Sequence, residues 1–107
     1  FSYRTPHPIV GSADLTLNLS KNLTKDDVNE AFKDAQSKQN FQIFECNYEP
    51  LISCDFIRHT ASVIVDCRWT EVVAGKLLKM VLWYDNEYGY SSRVVDQVRY
   101  IGGFINE

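Results

Sequence analysis

The chain has 107 residues, 45% of them hydrophobic and 13% aromatic, the size and apolar content of one domain with one core. Its 11 Lys plus Arg stand against 14 Asp plus Glu, a formal net charge of −3 with no basic stripe, so a nucleic-acid partner is not expected. The apolar runs are too short to span a membrane and the N-terminus lacks the regions of a signal peptide, so no membrane partner is expected either.

Residues 1–11 carry Pro6 and Pro8, which push Thr5 and His7 toward extended backbone. Residues 12–19 alternate, with Ala13, Leu15, Leu17 and Leu19 on one face and Asp14, Thr16 and Asn18 on the other, the pattern of a half-buried strand. Thr24 is a good helix N-cap, with Asp26 and Asp27 in the first turn to suit the dipole. Leu23 and Val28 stand at the positions of a hydrophobic staple. Val28, Ala31, Phe32 and Ala35 then give the stripe of a surface helix running to about Ser37.

Three strands are expected next, at Phe41–Cys46, Leu51–Phe56 and Ser62–Cys67, then a longer, more central one at Lys76–Tyr84. A last helix over Ser91–Ile105 gathers Val94, Val95, Val98, Ile101 and Ile105. Gly102 and Gly103 within it cost about 1 kcal/mol each relative to Ala, a cost tolerated where another backbone must come close. The order predicts one α+β domain, its largely antiparallel sheet covered by helices on one face.

Between the central strand and the last helix lies the run Trp83-Tyr84-Asp85-Asn86-Glu87-Tyr88-Gly89-Tyr90, with more aromatic bulk than a connector needs. The planar amide of Asn86 complements another carboxamide, such as that of nicotinamide. The commoner use of an Asp-Asn-Glu turn is to cap a helix. Tyr90 could wall one face of an aromatic ligand, or be an ordinary core or interface tyrosine. Gly89 between them permits close backbone approach. Arg4, held before the stiff Thr5-Pro6-His7-Pro8 stretch, suits bidentate phosphate binding, although an ordinary surface or terminal arginine is the commoner case for such spacing.

The remaining chemistry-bearing residues point to no site. His7 and His59 sit in expected loops, and Asp14, Asp55 and Asp66 in strand patterns, where they bond neighbouring backbone or face solvent. Cys46, Cys54 and Cys67 lie in expected strands, without an adjacent base and without a Cys-x-x-Cys pair. Their odd count argues against a disulfide scaffold and a metal site and fits a reducing, cytoplasmic compartment. The glycine-rich Gly-x-Gly-x-x-Gly loop of dinucleotide-binding units does not occur in these residues.

Two motifs at the right separation nonetheless resemble one family. Trp83-Tyr84-Asp85-Asn86-Glu87-Tyr88-Gly89-Tyr90-Ser91-Ser92-Arg93-Val94-Val95-Asp96 is similar, almost residue for residue, to a C-terminal signature of glyceraldehyde-3-phosphate dehydrogenases. Tyr3-Arg4-Thr5-Pro6-His7-Pro8, followed by Asp14-Leu15-Thr16, resembles that family's Phe-Arg-Val-Pro-Thr-Pro…Asp-Leu-Thr segment. Ser53–Phe56 and Ile64–Asp66 resemble further pieces between them, so the likeness covers nearly the whole chain.

The resemblance implies that residues 1–107 are the C-terminal portion of the catalytic domain of an NAD- or NADP-dependent, phosphorylating aldehyde dehydrogenase of glycolysis. Asn86 and Tyr90 would be cofactor-binding, toward the nicotinamide carboxamide and ring, and Arg4 would bind the phosphate of the aldehyde substrate or inorganic phosphate. The implied partners are the protein's own Rossmann domain, on which the last helix packs, and three further subunits in a homotetramer. No catalytic residue is expected in this chain, because the family's Ser-Cys-Thr-Thr-Asn nucleophile segment and its histidine match nothing here. The start at Phe1 rather than Met fits a fragment, a processed product or a part of a longer protein, and the 107 residues alone are expected to be inactive.

The chain departs from the family where Ile57-Arg58-His59-Thr60-Ala61-Ser62-Val63 stands for the usual Asn-Gly-Asp-Thr-His-Ser-Ser, and where Cys67-Arg68-Trp69-Thr70 replaces a small, polar stretch. An erythrose-4-phosphate dehydrogenase has the same architecture and remains an alternative. So does an interaction module that keeps the scaffold without the chemistry.

Overall fold

A computed structural model describes residues 1–3 and 9–105. The elements are β1 (Ser2–Tyr3), β2 (Val10–Asn18), α1 (Lys25–Lys38), β3 (Phe44–Asn47), a 3₁₀ turn (Ser53–Phe56), β4 (Val63–Val73), β5 (Leu77–Asp85) and α2 (Asn86–Ile105). The strands form one five-stranded sheet in the order β1-β2-β5-β4-β3. All neighbours are antiparallel except β3 and β4, which run parallel. The domain is α+β, as its sequence predicts.

Helix α1 begins as its residues dictate. Thr24 Oγ1 accepts from Asp27 N at 3.2 Å and Asp27 Oδ2 accepts from Thr24 N at 2.8 Å, a reciprocal capping box. These bonds hold the Asp27 carboxyl below its ordinary range. Val28 then buries itself with Val65, Cys67, Leu78 and Met80, with Leu23 and Phe32 packed around them. This is the main core, between α1 and one face of the sheet.

A second, smaller cluster of Val10, Phe56 and Ile64, with Leu51 and Trp83 packed against it, lies on the opposite face. It exists because the expected strand Leu51–Phe56 is instead a 3₁₀ turn. Asp55 Oδ2 accepts from Ile52 N at 2.8 Å, and such a local side-chain bond draws the backbone out of an extended run. The turn drops the Phe56 ring onto Trp83, centroids 5.8 Å apart and 24° from parallel.

β4 continues well past its expected end at Cys67. Its register with β5 shifts between Asp66 and Glu71, a bulge that absorbs the intervening residues. Lys25 Nζ and Asn29 Nδ2 of α1 donate to the freed carbonyls of Arg68 and Cys67 at 3.1 and 3.3 Å. After the bulge β4 resumes pairing and turns into β5 through Ala74 and Gly75, both with positive φ.

The last helix starts at Asn86 rather than Ser91. Its apolar residues Val94, Val98, Ile101 and Ile105 are exposed. Carbons built at Gly102 and Gly103 would meet nothing within 4 Å, so no described backbone makes the close approach expected there.

Candidate functional site

The polypeptide passes from β5 into α2 without a loop, because one side chain serves both. Asp85, the last residue of β5 and only 2% exposed, accepts at Oδ1 from Glu87 N at 3.2 Å and Tyr88 N at 2.9 Å. Those are donors of the first helical turn, which has no partners within the helix. Its Oδ2 accepts from Arg58 N at 2.8 Å. Arg58 belongs to the segment before β4 and has φ +63°, in the left-handed region where non-glycine residues are uncommon.

The same segment supports the next part of the turn. Gly89 is buried, and a Cβ there would lie 3.1 Å from the Ala61 carbonyl oxygen and 3.3 Å from Ser62 Cα. Glycine at 89 therefore lets α2 lie on the 61–62 backbone, the close approach its residue type permits. Arg93 completes the seat: its guanidinium donates to Thr60 O at 3.2 Å and to Gln42 O, and pairs with Asp96 at 2.9 Å. His59 Nδ1 accepts from Ala61 N at 3.2 Å, and its Nε2 lies 3.3 Å from Glu45 on β3. His59 is thus partly buried and bonded rather than solvated.

Asn86 and Tyr90 stand on this seat. As residues 1 and 5 of α2 they are one turn apart and share a face. Both side chains are exposed, Tyr90 at 71%. Capping is done by Asp85, and the Asn86 amide has no hydrogen bond to any described residue. Tyr90 lies inside the helix, not before it as expected, because the capped turn begins at residue 86. The structure brings Asn86 and Tyr90 together. Arg4 lies outside the described residues, although Val10, on the strand that follows its segment, pairs with Asp85.

A cleft of about 500 Å³ opens nearby, lined by Gln42, Thr60, Tyr88, Ser92, Arg93 and Asp96 among others, and neither Asn86 nor Tyr90 borders it. Gly11 has a related packing role on β2, since a Cβ there would come within 2.8 Å of the Tyr84 ring. The sequence gives Asp85 only as part of a polar turn. Helix capping is the commoner use of that turn, but the bond to Arg58 could not be read, because its donor is remote in the chain and carries no local signal.

The other candidate groups are placed by packing. Asp66 is fully buried and bonded to side chains rather than to backbone or water. Arg68 Nε and Nη2 donate to its two oxygens at 2.8 and 2.7 Å, and Trp83 Nε1 donates at 3.1 Å. Asp14 lies 3.7 Å from Lys79 Nζ. Cys67 is buried and Cys46 half-buried, while Cys54, on the 3₁₀ turn instead of a strand, is exposed. Burial, with Cys67 close by, pushes the Cys46 thiol up to about 12 and burial raises that of Cys67, so neither is a thiolate nucleophile near neutrality. Among the described residues no group of three or more His, Cys, Asp or Glu could hold a metal ion, and no helix is long and apolar enough to cross a membrane.

Residues 1–86 match the family model described as glyceraldehyde 3-phosphate dehydrogenase, C-terminal domain. The chain is 40% identical over 102 residues to glyceraldehyde-3-phosphate dehydrogenase 2 of Staphylococcus aureus strain Mu50, covering 95% of this chain and 29% of that protein. It is 39% identical over 98 residues to glyceraldehyde-3-phosphate dehydrogenase 2 of Bacillus subtilis strain 168, and 44% identical over 98 residues to glyceraldehyde-3-phosphate dehydrogenase of Geobacillus stearothermophilus. Each of those two alignments covers 92% of this chain and 29% of the relative. The chain thus spans less than a third of the length of the curated relatives it matches.

Proposed function

This chain belongs to the glyceraldehyde-3-phosphate dehydrogenase family, and from that premise we propose that it supplies one wall of the nicotinamide site in an NAD(P)-dependent, phosphorylating aldehyde dehydrogenase. The observation that carries this reading is the pair Asn86 and Tyr90, exposed on one face of a turn whose capping is done by another residue.

The residues fit a nicotinamide group. The Asn86 amide offers donors and an acceptor in one plane to the carboxamide, and the Tyr90 ring supplies a flat apolar surface beside the pyridine ring. A nicotinamide held there would supply a hydride acceptor for the aldehyde oxidation. This chain's part is orientation: Asn86 fixes the rotation of the ring and Tyr90 restricts which face is open. Arg4 is proposed to bind the phosphate of the substrate or inorganic phosphate.

The exposed apolar stripe of α2 supports the proposal that the helix packs on a cofactor-binding domain in the whole protein, itself a cytoplasmic homotetramer. Glyceraldehyde 3-phosphate is favoured over erythrose 4-phosphate, because relatives at 39–44% identity bear the former name. The proposal places the whole protein in glycolysis.

The natural gene product, expressed in full, tests this. It is expected at about 35–40 kDa and to reduce NAD or NADP when given aldehyde and inorganic phosphate. The 107 residues alone are expected to show no turnover, since neither a Gly-x-Gly-x-x-Gly loop nor a Ser-Cys-Thr-Thr-Asn segment occurs in them. A native product of 12.3 kDa that binds no cofactor would overturn the proposal in favour of an interaction module.

A further inference from the structure

We infer that Asp85 is the positioning residue of the cofactor-binding turn, acting through the Arg58 segment to set where Asn86 and Tyr90 stand. The inference rests on the reading of Asn86 and Tyr90 as nicotinamide contacts and names what controls them.

Among the described residues neither the Asn86 nor the Tyr90 side chain has a hydrogen-bond partner, and both ride on the backbone of the first turns of α2. The buried side of those turns touches the segment at residues 58–62. Asp85 spans the junction with both oxygens: Oδ1 takes the helix donors Glu87 N and Tyr88 N, and Oδ2 takes Arg58 N. At 2% exposure the carboxylate has little water to substitute for a lost partner. Arg58 is held at φ +63° with its N–H aimed at that oxygen, so the bond and the unusual backbone conformation support each other. Gly89 against Ala61 and Arg93 on Thr60 leave the turn no slack to settle elsewhere without moving.

The chemistry of an amide makes this testable. Asparagine at 85 has one acceptor oxygen and one donor nitrogen in place of two acceptors. Asp85→Asn can therefore keep the helix cap or the Arg58 bond, but not both, while filling the same volume.

The experiment is a double-mutant cycle on the full gene product, with NAD affinity measured by direct titration rather than by turnover. Asp85→Asn is expected to weaken NAD about tenfold, the scale of a lost bond to a charged group. In an Asn86→Ala, Tyr90→Ala background the same change is expected to weaken NAD less than about twofold, because both contacts it positions are already gone. A full, additive effect in both backgrounds overturns the positioning role, as does an unchanged affinity of Asp85→Asn beside a weakened Asn86→Ala. If Asn86→Ala alone leaves NAD affinity unchanged, the reading of Asn86 as a cofactor contact fails, and this inference with it. Where Asp85→Asn lowers the yield of folded protein, Gly89→Ala carries the same cycle. Its Cβ, 3.1 Å from the Ala61 oxygen, shifts the same turn, with non-additivity expected and additivity contradicting.

Discussion

Arg68 and Asp66, two residues apart on β4, form a bidentate pair at 2.8 and 2.7 Å around a carboxylate with no exposure to water. The same guanidinium donates to Leu51 O at 3.1 Å, so it pins the segment leading to the 3₁₀ turn to the sheet. The bonds to Asp66 hold the Arg68 guanidinium above its ordinary pKa. Removing it strands a buried carboxylate that, among the described residues, keeps only the Trp83 indole N–H as a side-chain donor. Arg68→Ala is expected to lower the urea midpoint clearly, and Arg68→Lys to fall between Ala and the parent because a lone ammonium cannot span both oxygens. Equal midpoints for all three would show that the pair contributes nothing.

The thiols give a reactivity order and a pH dependence. At about pH 8 a thiol reagent should label Cys54 fast in the folded chain, and Cys46 and Cys67 only after unfolding in urea. The Cys46 thiol titrates near 9.0 when free and at about 12 when folded. Between those values the folded state holds a proton that the unfolded state has released. The contribution of this thiol to stability is therefore fully present below about pH 9 and lost as pH rises toward 12. Cys46→Ser should flatten that alkaline slope, and an identical slope would contradict the assignment.

The two sides of the molecule should respond differently to truncation. Met80 is 2% exposed in the main core, and Met80→Ala should cost about 2–5 kcal/mol. Val98 on α2 is 65% exposed, and Val98→Ala in the 107-residue chain should stay within about 0.5 kcal/mol. Urea unfolding of both variants checks this, and a large loss at Val98 would mean that α2 packs in a way the exposures do not allow.

Much of the fold is legible in the sequence because its signals are local. The Thr24 cap, the Val28 and Phe32 stripe and the extended run of β2 depend on neighbours a few residues away, although Leu15 and Leu17, on the face expected to be buried, are exposed among the described residues. What misleads is remote or competing. Leu51–Phe56 has a strand's composition, but Asp55 bonds back to Ile52 and turns it. The start of α2 depends on Asp85 reaching Arg58, far off in sequence, and the bulge after Asp66 is bridged by Lys25 and Asn29 from another element. Asn86 and Tyr90 were legible as a pair through the motif. Their seat, made by Ala61, Arg58 and Arg93, was not, since it exists only once β4 lies beside β5.

Arg4 offers an independent test of the substrate assignment. In the full gene product, Arg4→Ala should raise KM for the phosphorylated aldehyde or for inorganic phosphate by an amount worth about 1.5–3 kcal/mol. It should leave NAD affinity close to the parent's, because the proposed cofactor contacts are Asn86 and Tyr90. An unchanged KM for both phosphate-bearing ligands would remove Arg4 from the site.

The most direct measurement is a crystal structure of the full gene product with NAD bound. The Asn86 amide is predicted to lie about 2.7–3.2 Å from the nicotinamide carboxamide, with the Tyr90 ring against the pyridine ring. A bound NAD whose nicotinamide lies away from both residues would contradict the account at its centre.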